Sequence, residues 1–264
     1  MTTDLILDDP CVLFAMARES APFRREFPVQ QSFPEAPVWA RFCGPTWLTV
    51  CVMHTGVGAN RMSKTLDWLF NNPTFGNLPY KPKVILSAGF AGGLEDSYQV
   101  GDVLLASEVA NTRDNVWPTT WPTQLPDEPF QPPLKQGRLL TAPKIVGKPE
   151  DKRALGKQFS AVAVDMESSL LAEQCAKRRI PFGCLRVISD DAQTTLSPQL
   201  TQLLSGGNVS SIRAMFALMR NPFLAGEFYR LSKNTRLAAE RLGKALGELL
   251  TLTLSWSDEL DRSF

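Results

Sequence analysis

Four carboxylates stand out by where they fall in the chain. Asp165 and Glu167 follow a short apolar run at 161–164, and Asp190 and Asp191 follow another at 182–188. A helix-like segment separates the runs, so the pattern is strand, helix, strand, with acids at both strand exits. In an open α/β sheet ligands bind beyond the carboxyl ends of strands, so acids delivered there mark a candidate site. A buried carboxyl with a second acid beside it can keep its proton near neutrality and serve as a general acid. Asp165-Met166-Glu167 also opens a helix, and the competing reading is capping and dipole complementation. Either pair alone fits that reading. Two pairs one helix and one strand apart favour a site.

The remaining elements must position those acids. Residues 11–16 read as an apolar strand, and Glu19 lies just past its end. On position alone Glu19 is a first-turn acid complementing a helix dipole. The stretch 28–37 is rich in proline and reads as a connection, followed by paired strands at 38–42 and 47–53. Gly56 and Gly58 sit at a strand-to-helix turn, where glycine lets the backbone approach a ligand closely. Arg61 stands where a dinucleotide fingerprint needs its third glycine, so a Rossmann cofactor is a weak reading. His54, at the end of the preceding strand, reads as structural. Residues 84–93 are a buried strand breaking into a glycine-rich turn that contains Gly89, Phe90, Ala91 and Gly92. No Gly-Lys-Ser/Thr follows, which excludes a P-loop. A strand at 101–106 comes next, and then a tract at 111–135 dense in proline and tryptophan, read as a lid, an interface or a disordered segment. Extended chain at 139–146 and a helix at 149–158 lead into the acidic stretch.

Beyond residue 196 the character changes. Helical candidates at 197–205, 210–219 and 222–252 carry Arg213, Arg220, Arg230, Lys233, Arg236, Arg241 and Lys244 among bulky apolar residues such as Phe216, Met219, Phe228 and Leu231. One reading is a flap covering the sheet or an oligomer contact. The other is a peripheral, lipid-facing element in which a basic face and large apolar groups act together.

Composition narrows the class. The 264 residues are 44% hydrophobic with a formal net charge of +1, which fits a globular protein and argues against a nucleic-acid partner. No apolar run is long enough to span a bilayer, and the start of the chain has no signal-type pattern. Five cysteines without a Cys-x-x-Cys, and a single histidine, fit buried thiols in a reducing cytoplasm and argue against a histidine- or cysteine-based metal site. With no repeat and no linker, residues 1–264 are expected to form one domain, with 1–10 a tail and 197–264 a helical extension.

Six motifs in order carry a resemblance: Met16 with Glu19; Gly56-Val57-Gly58; the run from Ser87 to Leu94; Val100 to Val103; Val164-Asp165-Met166-Glu167; and Val187 to Asp190. Together they resemble the nucleoside phosphorylase/nucleosidase superfamily, and most of all its methylthioadenosine/S-adenosylhomocysteine nucleosidase branch, over about 11–195. The C-terminal region, with Leu196-Ser197-Pro198 and Met219-Arg220-Asn221-Pro222, resembles the hopanoid-associated phosphorylase-like proteins.

The resemblance implies an α/β, three-layer αβα phosphorylase/hydrolase-like fold with a mixed twisted central sheet, an extra helical C-terminus and no cofactor. It implies a small purine nucleoside as ligand, and a homo-oligomer. By the same resemblance Glu19 activates water and Asp190 protonates the departing purine at N7. Glu167 accepts hydrogen bonds from both ribose hydroxyls, and Met166 packs on the sugar. Gly56, Gly89, Phe90, Ala91, Gly92, Ile145, Val146, Asp165 and Ser189 are the other substrate contacts, with purine against Ile145 and Val146. Two positions depart from the family pattern. Phe90 replaces a small hydroxyl residue, and Asp165 is one methylene shorter than the glutamate of some relatives. A carboxylate aimed at the nucleophile position repels phosphate, which favours hydrolysis over phosphorolysis. Phosphorolysis, a lipid-linked adenosine as substrate, and a nucleoside binder without turnover are the alternatives.

Overall fold

The computed structural model describes residues 7–33, 39–45, 48–71, 73–122, 130–205 and 222–261. Twelve strands and seven helices lie within them, in the order β1 (Cys11–Phe14), α1 (Ala17–Ser20), α2 (Phe23–Glu26), β2 (Val29–Ser32), β3 (Trp39–Cys43), β4 (Val50–His54), α3 (Ala59–Phe70), β5 (Thr74–Phe75), β6 (Leu78–Pro79), β7 (Ile85–Gly93), β8 (Val103–Asn111), β9 (Val116–Pro118), β10 (Leu134–Thr141), α4 (Pro149–Phe159), β11 (Ala163–Asp165), α5 (Ser168–Arg178), β12 (Phe182–Asp190), α6 (Pro198–Ser205) and α7 (Pro222–Asp261). The helical candidate at 210–219, with Arg213, Phe216 and Met219, lies outside the described residues, as does Arg220.

Ten strands form one mixed sheet in the order β11-β10-β8-β12-β7-β1-β4-β3-β2, with β9 on β8. The middle strands β1, β4, β7 and β12 run parallel, and every residue of β1 and β12 is buried. Such continuous apolar runs are what a strand covered on both faces requires. β11 pairs with β10 on one side and with the end of β7 on the other, which closes β7-β12-β8-β10-β11 into a ring. That closure brings the acid-bearing exits of β11 and β12 to the same end of β7.

Three sequence expectations change. The glycines of 84–93 do not form a turn: β7 continues through Gly93, paired with β12 and then β11. Part of the proline-rich 28–37 connection is the exposed edge strand β2. β10 also starts earlier and ends earlier than the 139–146 pattern, so Ile145 and Val146 lie in the loop leading to α4.

α7 lies on the sheet through a stripe of Ala238, Leu242, Ala245, Leu246 and Leu249, all fully buried. The spacing of four, three, one and three is that of one helical face. The stripe packs with Val12, Leu86 and Val187 of β1, β7 and β12. Gly243 permits a close crossing, since a β-carbon there would stand 2.7 Å from the Phe23 nitrogen of α2. This half of α7 is the sheet-covering flap.

Candidate active site

Glu19 reaches the site because α1 is a four-residue turn directly after β1. Its Oε2 accepts the Met16 N–H at 2.7 Å, and its Oε1 accepts the Phe90 N–H at 3.3 Å. The side chain therefore caps its own helix and still presents a carboxylate to a cavity, with only 2% of the residue exposed. Burial pushes its pKa up, against the Met16 N–H, Arg186, the Phe90 N–H and Arg18.

Asp190 ends β12 beside a bulge. Ile188 pairs with Ala91 and Asp190 pairs with Gly92, so Ser189 is the unpaired extra residue. Bulges re-aim side chains, and here Ser189 and Asp190 both line the cavity. The Ser189 hydroxyl donates to Asp190 Oδ1 at 2.7 Å, and Lys152 Nζ donates to Oδ2 at 2.6 Å. Burial raises the pKa of Asp190; Lys152 and the Ser189 hydroxyl oppose the rise, and Asp191 adds to it.

Glu167 begins α5, and its Oε1 accepts the Gly58 N–H at 2.6 Å. The turn that offers this donor has Gly56 at φ +79° and Gly58 at φ +95°, conformations that favour glycine. Burial, then Asp165, lift the Glu167 pKa to about 7, against the Gly58 N–H and Arg186. Gly58 engages Oε1, and no protein donor to Oε2 is seen among the described residues.

Asp165 lines the cavity, but its carboxylate is spent on the protein. Oδ1 accepts the Thr141 hydroxyl at 2.9 Å, and Oδ2 accepts the Ser168 hydroxyl at 2.5 Å and Arg186 Nη2 at 2.9 Å. It anchors the start of α5 rather than offering a free oxygen to a substrate. Gly56 and Gly89 also stand outside the wall. Val57 takes the place expected of Gly56, and Gly89 lies behind Glu19. Phe90, Ala91, Gly92, Ile145, Val146 and Met166 all line the cavity with Glu19, Glu167, Ser189 and Asp190. His54 is elsewhere, 2.7 Å from the Ser20 hydroxyl and stacked on Trp39 at 3.7 Å. Burial, with Arg24 and Arg41, lowers its pKa to about 4.

Sequence reasoning missed two cations. Arg186 sits inside the apolar run of β12 and Lys152 on the buried stripe of α4, with Gly156 and Phe159. The signal was there: a charge on an apolar face is almost never fully buried without a partner. α7 forms part of the wall, since Leu231 and Thr235 line the cavity together with Leu196.

The model of the phosphorylase superfamily matches residues 11–210. The chain belongs to the phosphorylase superfamily. Among its relatives is a Staphylococcus aureus 5′-methylthioadenosine/S-adenosylhomocysteine nucleosidase, 27% identical over 191 residues, covering 64% of this chain and 81% of the relative. A crystal structure of Helicobacter pylori 5′-methylthioadenosine/S-adenosylhomocysteine nucleosidase superposes with TM-score 0.69 at 18% identity, covering 94% of this chain and 99% of that one. The futalosine hydrolase of the same organism gives TM-score 0.68 at 19% identity, over 93% of this chain and 98% of that one. These likenesses establish the phosphorylase-superfamily fold, including its mixed central sheet flanked by helices.

Proposed function

We propose that this phosphorylase-superfamily protein hydrolyses the N-glycosidic bond of a purine nucleoside modified at the 5′ position, releasing the base. The carrying observation is the convergence of Glu19, Glu167 and Asp190 from three elements on one cavity of about 180 Å³. In the proposed reaction Glu19 takes a proton from water as the water bonds to C1′. The C1′–N9 bond breaks with its electron pair going to the base, and Asp190 gives its proton to N7. Glu167 accepts a ribose hydroxyl, and Met166 covers the sugar. One proton enters Glu19 as one leaves Asp190, so exchange with solvent resets the pair. Ile145 and Val146 pack on the purine, and the nucleosidase relatives support the substrate class.

Hydrolysis is preferred to phosphorolysis on charge. A phosphate at the nucleophile position would face the buried Glu19 carboxylate, and the cavity's lining cations, Arg18 and Lys144, are both exposed. The deciding experiment follows adenine release from methylthioadenosine, S-adenosylhomocysteine and 5′-deoxyadenosine, with and without phosphate. Release independent of phosphate is expected. Release only with phosphate would move the protein to the phosphorylases, and tight binding of all three without release would make it a binder.

The first half of α7 supports a finer reading. Arg230, Lys233 and Arg236 are exposed, and Tyr229 and Leu237 are 73% and 43% exposed beside them. This basic face with apolar groups suits peripheral contact with an anionic membrane and a lipid-linked 5′ substituent. Co-sedimentation with anionic but not neutral liposomes at low salt is the expected result. A homo-oligomer is proposed from the family resemblance and is read by light scattering.

A further inference from the structure

Lys152 is fully buried, and a lysine is rarely so unless each of its donors is met. Its three N–H groups find three acceptors: Asp190 Oδ2 at 2.6 Å, the Asp191 carbonyl at 2.7 Å and the Thr194 carbonyl at 3.2 Å. Burying an ammonium costs several kcal/mol, and a helix core position here would be filled more stably by leucine or methionine. The stripe that carries it, with Gly156 and Phe159, is otherwise apolar. Two of its bonds hold the turn that leaves β12, while the third holds the carboxylate assigned to the leaving base.

We infer that Lys152 is a positioning residue for the leaving-group acid, holding Asp190 toward the purine and offsetting the charge Asp190 acquires when its proton is given away. The inference rests on the proposed nucleosidase reading for its kinetic arm. Before proton transfer Asp190 is a neutral acid whose hydroxyl goes to N7. Afterwards it is a carboxylate in a buried wall, and the ammonium at 2.6 Å faces the new charge where little water screens it. The other ionisable groups around Asp190 are Asp191, next in the chain, and across the same cavity the acids Glu19, Glu167 and Asp165 and the exposed cations Arg18 and Lys144. Lys152 is the cation in direct contact with Asp190 among the described residues. The arrangement has two opposed consequences. Lys152 makes proton donation easier, and it lowers the pH up to which Asp190 stays protonated.

The test uses the full-length protein and Lys152→Gln, which removes the charge and keeps an N–H donor for the turn. Lys152→Met serves if the glutamine variant does not fold. Carbon-13 NMR of the Asp190 carboxyl in ligand-free protein reads the second consequence and needs no turnover. Its titration midpoint is expected to rise by at least about one pH unit, a tenfold change in the protonation equilibrium. Kinetics on the nucleoside that the wild type cleaves best read the first at the plateau and the second on the alkaline limb. At the plateau kcat is expected to fall at least about tenfold with KM within about twofold, and the alkaline limb of kcat/KM moves upward. An unmoved Asp190 midpoint overturns the inference. So does a loss shared between kcat and KM with a fixed alkaline limb, which assigns Lys152 to bracing the turn alone. If the wild type cleaves no nucleoside, the proposed function falls while the NMR arm still decides the role of Lys152.

Discussion

Asp190 Oδ2 lies 3.1 Å from where a β-carbon on Gly92 would stand, and the two residues face each other in the β7–β12 pairing. Three residues earlier on β7 the relation repeats, with Glu19 Oε1 3.1 Å from a β-carbon on Gly89. Two glycines of one strand thus make room for the two carboxylates proposed as acid and base. Gly89 and Gly92 are not among the positive-φ glycines, so alanine is conformationally acceptable at both. Gly89→Ala and Gly92→Ala are each expected to shift the facing carboxylate by a few tenths of an ångström. The expected loss in kcat is about tenfold or more, with folding stability changed by about 1 kcal/mol at most. Unchanged turnover in both variants would show that the carboxylate positions are not critical.

That relation also shows what the chain discloses before folding. The acids at 165, 167 and 190 were legible because strand exits are encoded by local apolar runs. The glycines at 89 and 92 were read as a turn because local pattern cannot show a side chain arriving from another strand. The middle strands were legible for the same local reason, since β1, β4, β7 and β12 are largely apolar runs. The closure of β11 on β7, the Ser189 bulge and the approach of Leu231 from α7 are long-range pairings, which one sequence does not spell out.

Arg186 and Asp165 form a buried ion pair at 2.9 Å, with side chains 4% and 2% exposed. Arg186 also donates to the Ser87 hydroxyl and carbonyl and to the Ser168 hydroxyl, tying β12 to β7 and α5. Removing one partner leaves the other charge buried without compensation, which typically costs about 3–5 kcal/mol. Arg186→Met is therefore expected to lower Tm by about 6 °C or more. Calorimetry checks it, and a fall of about 1 °C or less would mean that water or a rearranged neighbour satisfies Asp165.

Glu167 gives a pH dependence whose sign is fixed by its pKa of about 7 in the folded chain, set first by burial and then by Asp165. In the unfolded chain a glutamate titrates near about 4.3, so between that value and about 7 the folded state binds more protons. Stability from this group is therefore lost as pH rises through that window. Glu167→Gln removes the effect, and its Tm should exceed the wild type's at pH 8 and converge with it near pH 4. In the proposed binding mode ribose hydroxyls donate to the ionised form, so KM of the wild type should fall as pH climbs through about 7. A KM flat from pH 6 to 8 would remove Glu167 from ribose binding.

α7 serves two ends of the molecule, and two leucines separate them. Leu246 is fully buried among Val12, Leu86 and Val187, so Leu246→Ala should cost about 2–5 kcal/mol whatever substrate is used. Leu231 lies four turns earlier, packs with Ile145, Leu196 and Phe228, and lines the cavity. It is only half-buried, so truncation there exposes less core and opens more wall. Leu231→Ala is expected to keep the Tm within a few degrees. It should change the ratio of kcat/KM for a bulky over a small 5′ substituent by about tenfold, the scale of one or two methylenes in an apolar pocket. The pair is measured on S-adenosylhomocysteine and 5′-deoxyadenosine under identical conditions. An unchanged ratio in Leu231→Ala, with the Leu246→Ala loss as expected, would leave α7 as a structural cover and place the 5′ group against another part of the wall.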